Sequence, residues 1–335
     1  MTPALTIKPL LKRGALLAAA NWEVVVLQYI AESAFKLMLI VPVAAAAFLV
    51  ALLVGGSAWD LADTDARHIA ALVLTGLSEQ PLALAMYLAG VAIIVLGGAT
   101  FTFLVKGGTV AVLVRADLDA PAVELPPLRV ATVRRAAAFD LDRFTEGCGR
   151  FFRRYLALGL LLIALYGVIA VVYMFAVVTS YHAVVNRGSF VGWTLVASTI
   201  SIALVLGVTI VNLLYLLTQI VVAAEDCGVR AAMSRLRRFL SHEHRRVAAI
   251  FVVMLAIVGL ATLASILATA GLGFIGFIPI VGLTVLPLQL AAWLARGLIF
   301  QYLGLGALST YARLYHGTRG TARREPALVA IRGSS

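Results

Sequence analysis

One residue of this chain carries a charge at a depth that water does not reach. Arg296 lies in the last long apolar segment. Read as a helix from Pro287, at about 1.5 Å per residue, it sits roughly 14 Å into a hydrocarbon layer about 30 Å thick. A lone guanidinium is costly there, and the partner it suits best is an oxyanion: a lipid phosphate, a substrate carboxylate or another protein's acid. No Asp or Glu falls in any predicted span. Asn212, Gln289 and Trp293 are the side chains placed to complete such an anion site, Trp293 by offering its π face one turn back. The competing reading is structural, with Arg296 bonding those side chains or carbonyls freed near Pro287, and it is the favoured one.

Other candidate chemistry is thin. His242-Glu243-His244 invites a metal reading, but residues two apart on a helix point to different faces, and neither Cys148 nor Cys227 stands at ligand spacing. A loop touching lipid headgroups explains the triplet better, with Ser241 before it as the N-cap of the next span. The sequence has no HExxH, P-loop or GxSxG pattern and no carboxylate pair inside a span, so we expect no enzyme, no metal and no cofactor.

The elements that position these residues follow from composition. Hydrophobic residues make up 62% of the 335 and charged residues only 13%, too apolar for a water-soluble domain. Six runs of helix-spanning length occupy 35–54, 82–105, 155–180, 193–222, 247–272 and 285–311. They lack the alternation of barrel strands, which predicts an all-α membrane bundle. No cleavable signal is expected, because charged residues fill the stretch before the first run.

Basic residues cluster in the N-terminal segment, the second and fourth loops and the C-terminal tail. Of 27 Lys and Arg, only Arg67, Arg187 and Arg296 lie elsewhere. The positive-inside rule then places both termini in the cytoplasm, with the protein multi-pass and its two cysteines reduced. Basic amphipathic stretches precede the odd-numbered spans. Phe144, Cys148, Phe151 and Tyr155 form one apolar face beside Arg143, Arg150 and Arg154; Val229, Met233, Leu236 and Leu240 form another beside Arg230, Arg237 and Arg238. Residues 7–20 are a weaker version. Such helices seat on anionic lipid, and that explains their apolar faces where nucleic-acid binding would not.

Three hairpins, each preceded by a basic interfacial helix, give pseudo-repeats at 1–115, 116–228 and 229–316 of one membrane domain, with 317–335 a disordered tail. Pro121, Pro126 and Pro127 make 117–135 an extended linker and the best candidate for a mobile segment. The glycine-rich run 271–282 reads as a tight external turn rather than a re-entrant one. Gly90, Gly97, Gly98 and Gly259 suit close helix contact.

At Glu225-Asp226-Cys227-Gly228-Val229-Arg230-Ala231 with Ser234, followed by a basic run, the chain resembles uncharacterised bacterial six-helix membrane proteins, similar to the membrane domain fused to some glycerophosphodiester phosphodiesterases. The catalytic domain of those enzymes has no counterpart here. The resemblance implies a membrane module serving something else. From the residues alone, Glu225 and Asp226 read as members of a salt-bridge lattice with Arg230 or a neighbouring basic helix. The expected function is a non-enzymatic scaffold or accessory subunit that binds anionic lipid, a protein partner or its own copies. The alternative is a transporter or lipid-handling permease built on Arg296.

Overall fold

The computed structural model describes residues 6–54, 81–127, 129–185, 190–276 and 279–332, and all its regular structure is helical. The helices are α1 Ile7–Ala20, α2 Trp22–Val54, α3 Pro81–Asp119, α4 Val130–Arg134, α5 Leu141–Val185, α6 Phe190–Glu225, α7 Val229–Gly276 and α8 Pro279–Arg332. Six of them are long and apolar enough to cross a membrane, so this is a multi-pass membrane protein. Arg67, Arg187 and residues 277–278 of the glycine-rich run fall outside the described residues. Helix α8 continues through 317–332, the stretch whose composition predicts disorder.

The chain divides into two units. One comprises residues 27–105, and the other comprises 1–26 with 106–335. Within the first, Tyr87 donates to the Pro42 carbonyl at 2.8 Å, and Gly98 lies against the Phe35 ring. The proline lies inside α2, and its carbonyl finds a partner on the neighbouring helix.

In the larger unit the two stronger basic stretches are not separate helices. They are the first turns of α5 and α7, which run without a break into the spans. Phe144, Cys148, Phe151 and Tyr155 are buried as one face, and the Tyr155 hydroxyl donates to the Gln219 carbonyl at 2.9 Å. On α7 the buried face is Ala232, Leu236 and Phe239, rotated from the expected one, and Met233 is left exposed. Phe239 meets Tyr315 of α8 edge-on at 5.2 Å. Ser241 caps nothing, because α7 passes through it and its hydroxyl bonds back to the Arg238 carbonyl at 2.7 Å.

Helix α1 differs most from expectation. Leu10, Arg13, Gly14, Leu17 and Ala18 form a buried stripe at helical spacing, and the helix packs along α8 instead of resting on a surface. Gly14 permits this approach, because a Cβ there would fall on the Thr310 hydroxyl and 2.6 Å from the Gly306 carbonyl oxygen. Likewise α3 crosses α5 through Gly107, Gly108 and Gly147, with Cys148 Sγ 2.7 Å from where a Gly108 Cβ would stand. Of the glycines singled out from sequence, Gly98 makes such a contact, against Phe35, while Cβ atoms on Gly90, Gly97 and Gly259 would meet nothing within 4 Å.

Candidate functional site at the basic end

Lys and Arg gather where the larger unit is most densely packed, and the buried polar groups gather there too. Arg13, 2% exposed, has all five of its N–H donors engaged. Nε donates to Asp117 Oδ1 at 2.8 Å. Nη1 donates to the Pro121 carbonyl at 2.8 Å and to Glu124 Oε2 at 2.9 Å. Nη2 donates to the Asp117 and Ala120 carbonyls at 2.9 and 3.2 Å. Burial works to lower the Arg13 pKa, but the hydrogen bonds and charges of Asp117 and Glu124 outweigh it and hold the guanidinium above its ordinary value. His316 of α8 stands with Nδ1 2.8 Å from Asp117 Oδ2. A carboxylate only accepts, so an ionised Asp117 takes the Nδ1 proton of His316 as donor.

This knot holds the linker that its prolines mark as mobile. Lys12 donates to the Glu124 carbonyl at 2.8 Å. Asn21, fully buried between α1 and α2, donates to the Leu17 and Ala136 carbonyls and accepts from the Ala138 amide. Val123 and Ala136 join Leu17 and Ala116 in one apolar cluster. The segment is not the extended linker expected: α3 runs to Asp119, the chain turns and bends over 123–127 and forms α4 at Val130–Arg134, and it is clamped at several points.

The Glu225-Asp226 pair forms the expected lattice with neighbouring basic helices rather than with Arg230. Glu225 engages Arg235 and the Tyr315 hydroxyl, while Asp226 bridges Arg150 at 2.6 Å and Arg154 at 2.5 Å. Asp226 follows the end of α6 with φ 47°, a left-handed conformation that Asp tolerates better than most residues. The turn aims its carboxylate back at α5, and the two guanidiniums hold its pKa below the ordinary value. Both arginines also lie near the Phe151 ring, at 5.7 and 5.9 Å.

Beside this lattice, where α3 crosses α5 and the end of α6, lies a cavity of about 470 Å³. Its walls are mostly apolar, among them Val112, Leu118, Phe151 and Ala223. Arg115, Arg143, Glu146, Arg150 and Asp226 carry its charge. This is the size and character of a small-ligand site.

The residues singled out from sequence divide accordingly. Arg143 and Arg150 line the cavity, and Arg154 braces it through Asp226. Arg230, Arg237 and Arg238 are exposed on α7. The four residues of the Arg296 set each have separate surroundings. Arg296 is exposed and lies 5.9 Å from the Phe300 ring, and Trp293 is exposed. Gln289 donates to the Leu272 carbonyl at 3.3 Å, and Asn212 accepts from Tyr166 at 2.5 Å. Arg296 does not line the cavity. His242 and His244 are exposed, and Glu243 pairs with Arg246 at 3.1 Å. Sequence reasoning passed over Arg13, Asp117, Glu124 and His316. The one available signal was that Arg13 sits in register with Leu10 and Leu17, on the face that becomes buried.

Comparison of the chain with protein-family models, with curated proteins and with solved structures finds no match.

Proposed function

We propose that this protein is a non-enzymatic integral membrane protein, a scaffold or accessory subunit whose basic end lies at the cytoplasmic face of a bacterial inner membrane and holds anionic lipid or a membrane partner. The observation that carries this reading is the position of the packing. Burial is concentrated at the basic end, while in the most apolar stretch of α5 no residue is buried and in that of α6 only 6% are. The spans thus turn apolar side chains toward lipid or toward other helices. The basic end presents Arg230, Arg237 and Arg238 at the height where headgroups lie. Three hairpins, α2 with α3, α5 with α6 and α7 with α8, are the architecture this reading assumes. The transporter alternative places its anion at Arg296, and the exposure of that side chain counts against it.

The test is native mass spectrometry of the full-length protein from a neutral detergent, offered phosphatidylglycerol and phosphatidylcholine together. We expect phosphatidylglycerol to be retained preferentially by the wild type and by Arg296→Leu. The preference should be lost in a variant carrying Arg230→Gln, Arg237→Gln and Arg238→Gln. Equal retention of both lipids by the wild type would end the reading, and loss of binding in Arg296→Leu alone would replace it with the permease.

A further inference from the structure

The cavity between α3, α5 and the end of α6 has a charge pattern that basic character alone does not explain. Five charged side chains line it. Arg150 and Asp226 are committed to each other at 2.6 Å. Arg115 is committed to Asp119 one turn along α3 at 2.7 Å. The remaining two are of opposite sign. Arg143 reaches its nearest acid, Asp140, only at 3.9 Å, and Glu146 forms no ion pair among the described residues. Arg143, Glu146 and Arg150 lie at offsets 0, 3 and 7 on α5, so all three share one face, with neighbouring Cβ atoms about 5–6 Å apart.

A simple anion seated on Arg143 would meet the Glu146 carboxylate one turn away, and a simple cation seated on Glu146 would meet Arg143. A ligand carrying both signs a short distance apart satisfies both. We propose that this cavity binds the zwitterionic phosphoethanolamine headgroup of a lipid, with the phosphate on Arg143 and the edge of Arg150 and the primary ammonium on Glu146. Guanidinium suits the phosphate because its planar fork matches two oxygens. An ammonium with N–H groups suits Glu146 because it donates, which a quaternary amine does not. The walls formed by Val112, Leu118 and Phe151 accept the glycerol and first acyl carbons. The Asp226 bridge keeps Arg150 in place, held by the ring of Phe151 on one side and the carboxylate on the other. This inference rests on the proposed function only in setting the basic end at headgroup height; its site and its lipid class are separate from the exposed arginines of α7.

The experiment is competitive native mass spectrometry of the full-length protein with short-chain phosphatidylethanolamine, phosphatidylglycerol and phosphatidylcholine. Water-soluble glycerophosphoethanolamine is a fourth competitor. With Arg230, Arg237 and Arg238 of α7 replaced by Gln, so that their anionic-lipid contacts do not count, the protein should favour phosphatidylethanolamine over the other two lipids by about tenfold, the value of one charge-assisted hydrogen bond. Glu146→Gln should erase that preference, while Arg143→Gln should weaken every phospholipid without changing their ratio. Both side chains are exposed, so both variants fold. Phosphatidylglycerol bound as well as phosphatidylethanolamine in that background, or an unchanged ratio when Glu146→Gln is added to it, would overturn the proposal. Glycerophosphoethanolamine competing as well as the lipid would overturn the lipid assignment. Because this background lacks the α7 arginines, failure here and failure of the anionic-lipid reading are read separately.

Discussion

Two halves of α5 show how differently one helix is held in two solvents. From Phe144 to Leu158 it buries Phe144, Cys148, Phe151, Tyr155 and Leu158; from Leu160 to Val178 it exposes Leu160, Ile163, Val168, Val171 and Phe175. In the second half its partner α6 meets it along one seam, where Tyr166 reaches Asn212 and Tyr173 lies 3.1 Å from Ser201. The cause is the medium. At the basic end, removing apolar surface from water drives packing, at about 25 cal/mol per Å². In lipid that drive is absent, and helices associate through close contact and interhelical hydrogen bonds. Stability in this molecule therefore resides mainly in its basic end, and the spans follow.

The sharpest way to break that contrast is at Arg13. Arg13→Ala leaves the buried Asp117 carboxylate without its main partner and should cost about 3–5 kcal/mol, measured by denaturant unfolding in mild detergent. A loss below about 1 kcal/mol would mean that the knot contributes nothing special. Next comes a pair of identical substitutions. Gly14→Ala drives a Cβ into α8 backbone and should cost about 1–3 kcal/mol, whereas Gly259→Ala in a span enters open space and should be neutral or slightly stabilising. Equal effects at the two glycines would dissolve the comparison. Within the seam, Tyr166→Phe should cost only about 0.6 kcal/mol, the usual worth of an interhelical hydrogen bond in lipid.

The smallest effect is a pH dependence at Asp226. Its pKa is lowered in the folded protein, so the bridge to Arg150 and Arg154 contributes fully above the ordinary carboxylate value near about 3.9. The contribution is lost as pH falls through the lowered value. Wild type and Asp226→Asn should therefore differ slightly in stability at neutral pH and converge in acid, which thermal scans at several pH values would show.

The membrane-crossing elements were legible because each is a local property: twenty or so apolar residues in a row need no partner to be recognised. The lattice at Asp226 was legible in part, since an acid pair beside basic helices predicts pairing, but Arg150 and Arg154 lie more than 70 residues away and sequence gives no distance. The Arg13 knot was illegible for the same reason, its acids standing 104 and 111 residues along the chain. Arg13 reads as a surface charge until α3, α8 and the linker close over it. Arg296 shows the opposite error. Depth along a helix can be counted from sequence, but which side of the helix faces lipid depends on neighbours, and α8 turns this guanidinium outward over Phe300.

The docking of α1 on α8 sets an order of assembly. Tyr302 donates to the Ala15 carbonyl across 287 residues of chain. At roughly 5–20 residues per second, the ribosome delivers that partner on the order of 15–60 s after α1 has emerged. Helix α1 is therefore seated late, and its apolar stripe stays uncovered until α8 has been synthesised. Helix α1 thus reports whether α8 has been made. A chain cut before residue 302 should be degraded much faster in pulse-chase labelling than one lacking only residues 319–335, because only the first leaves α1 with nowhere to close.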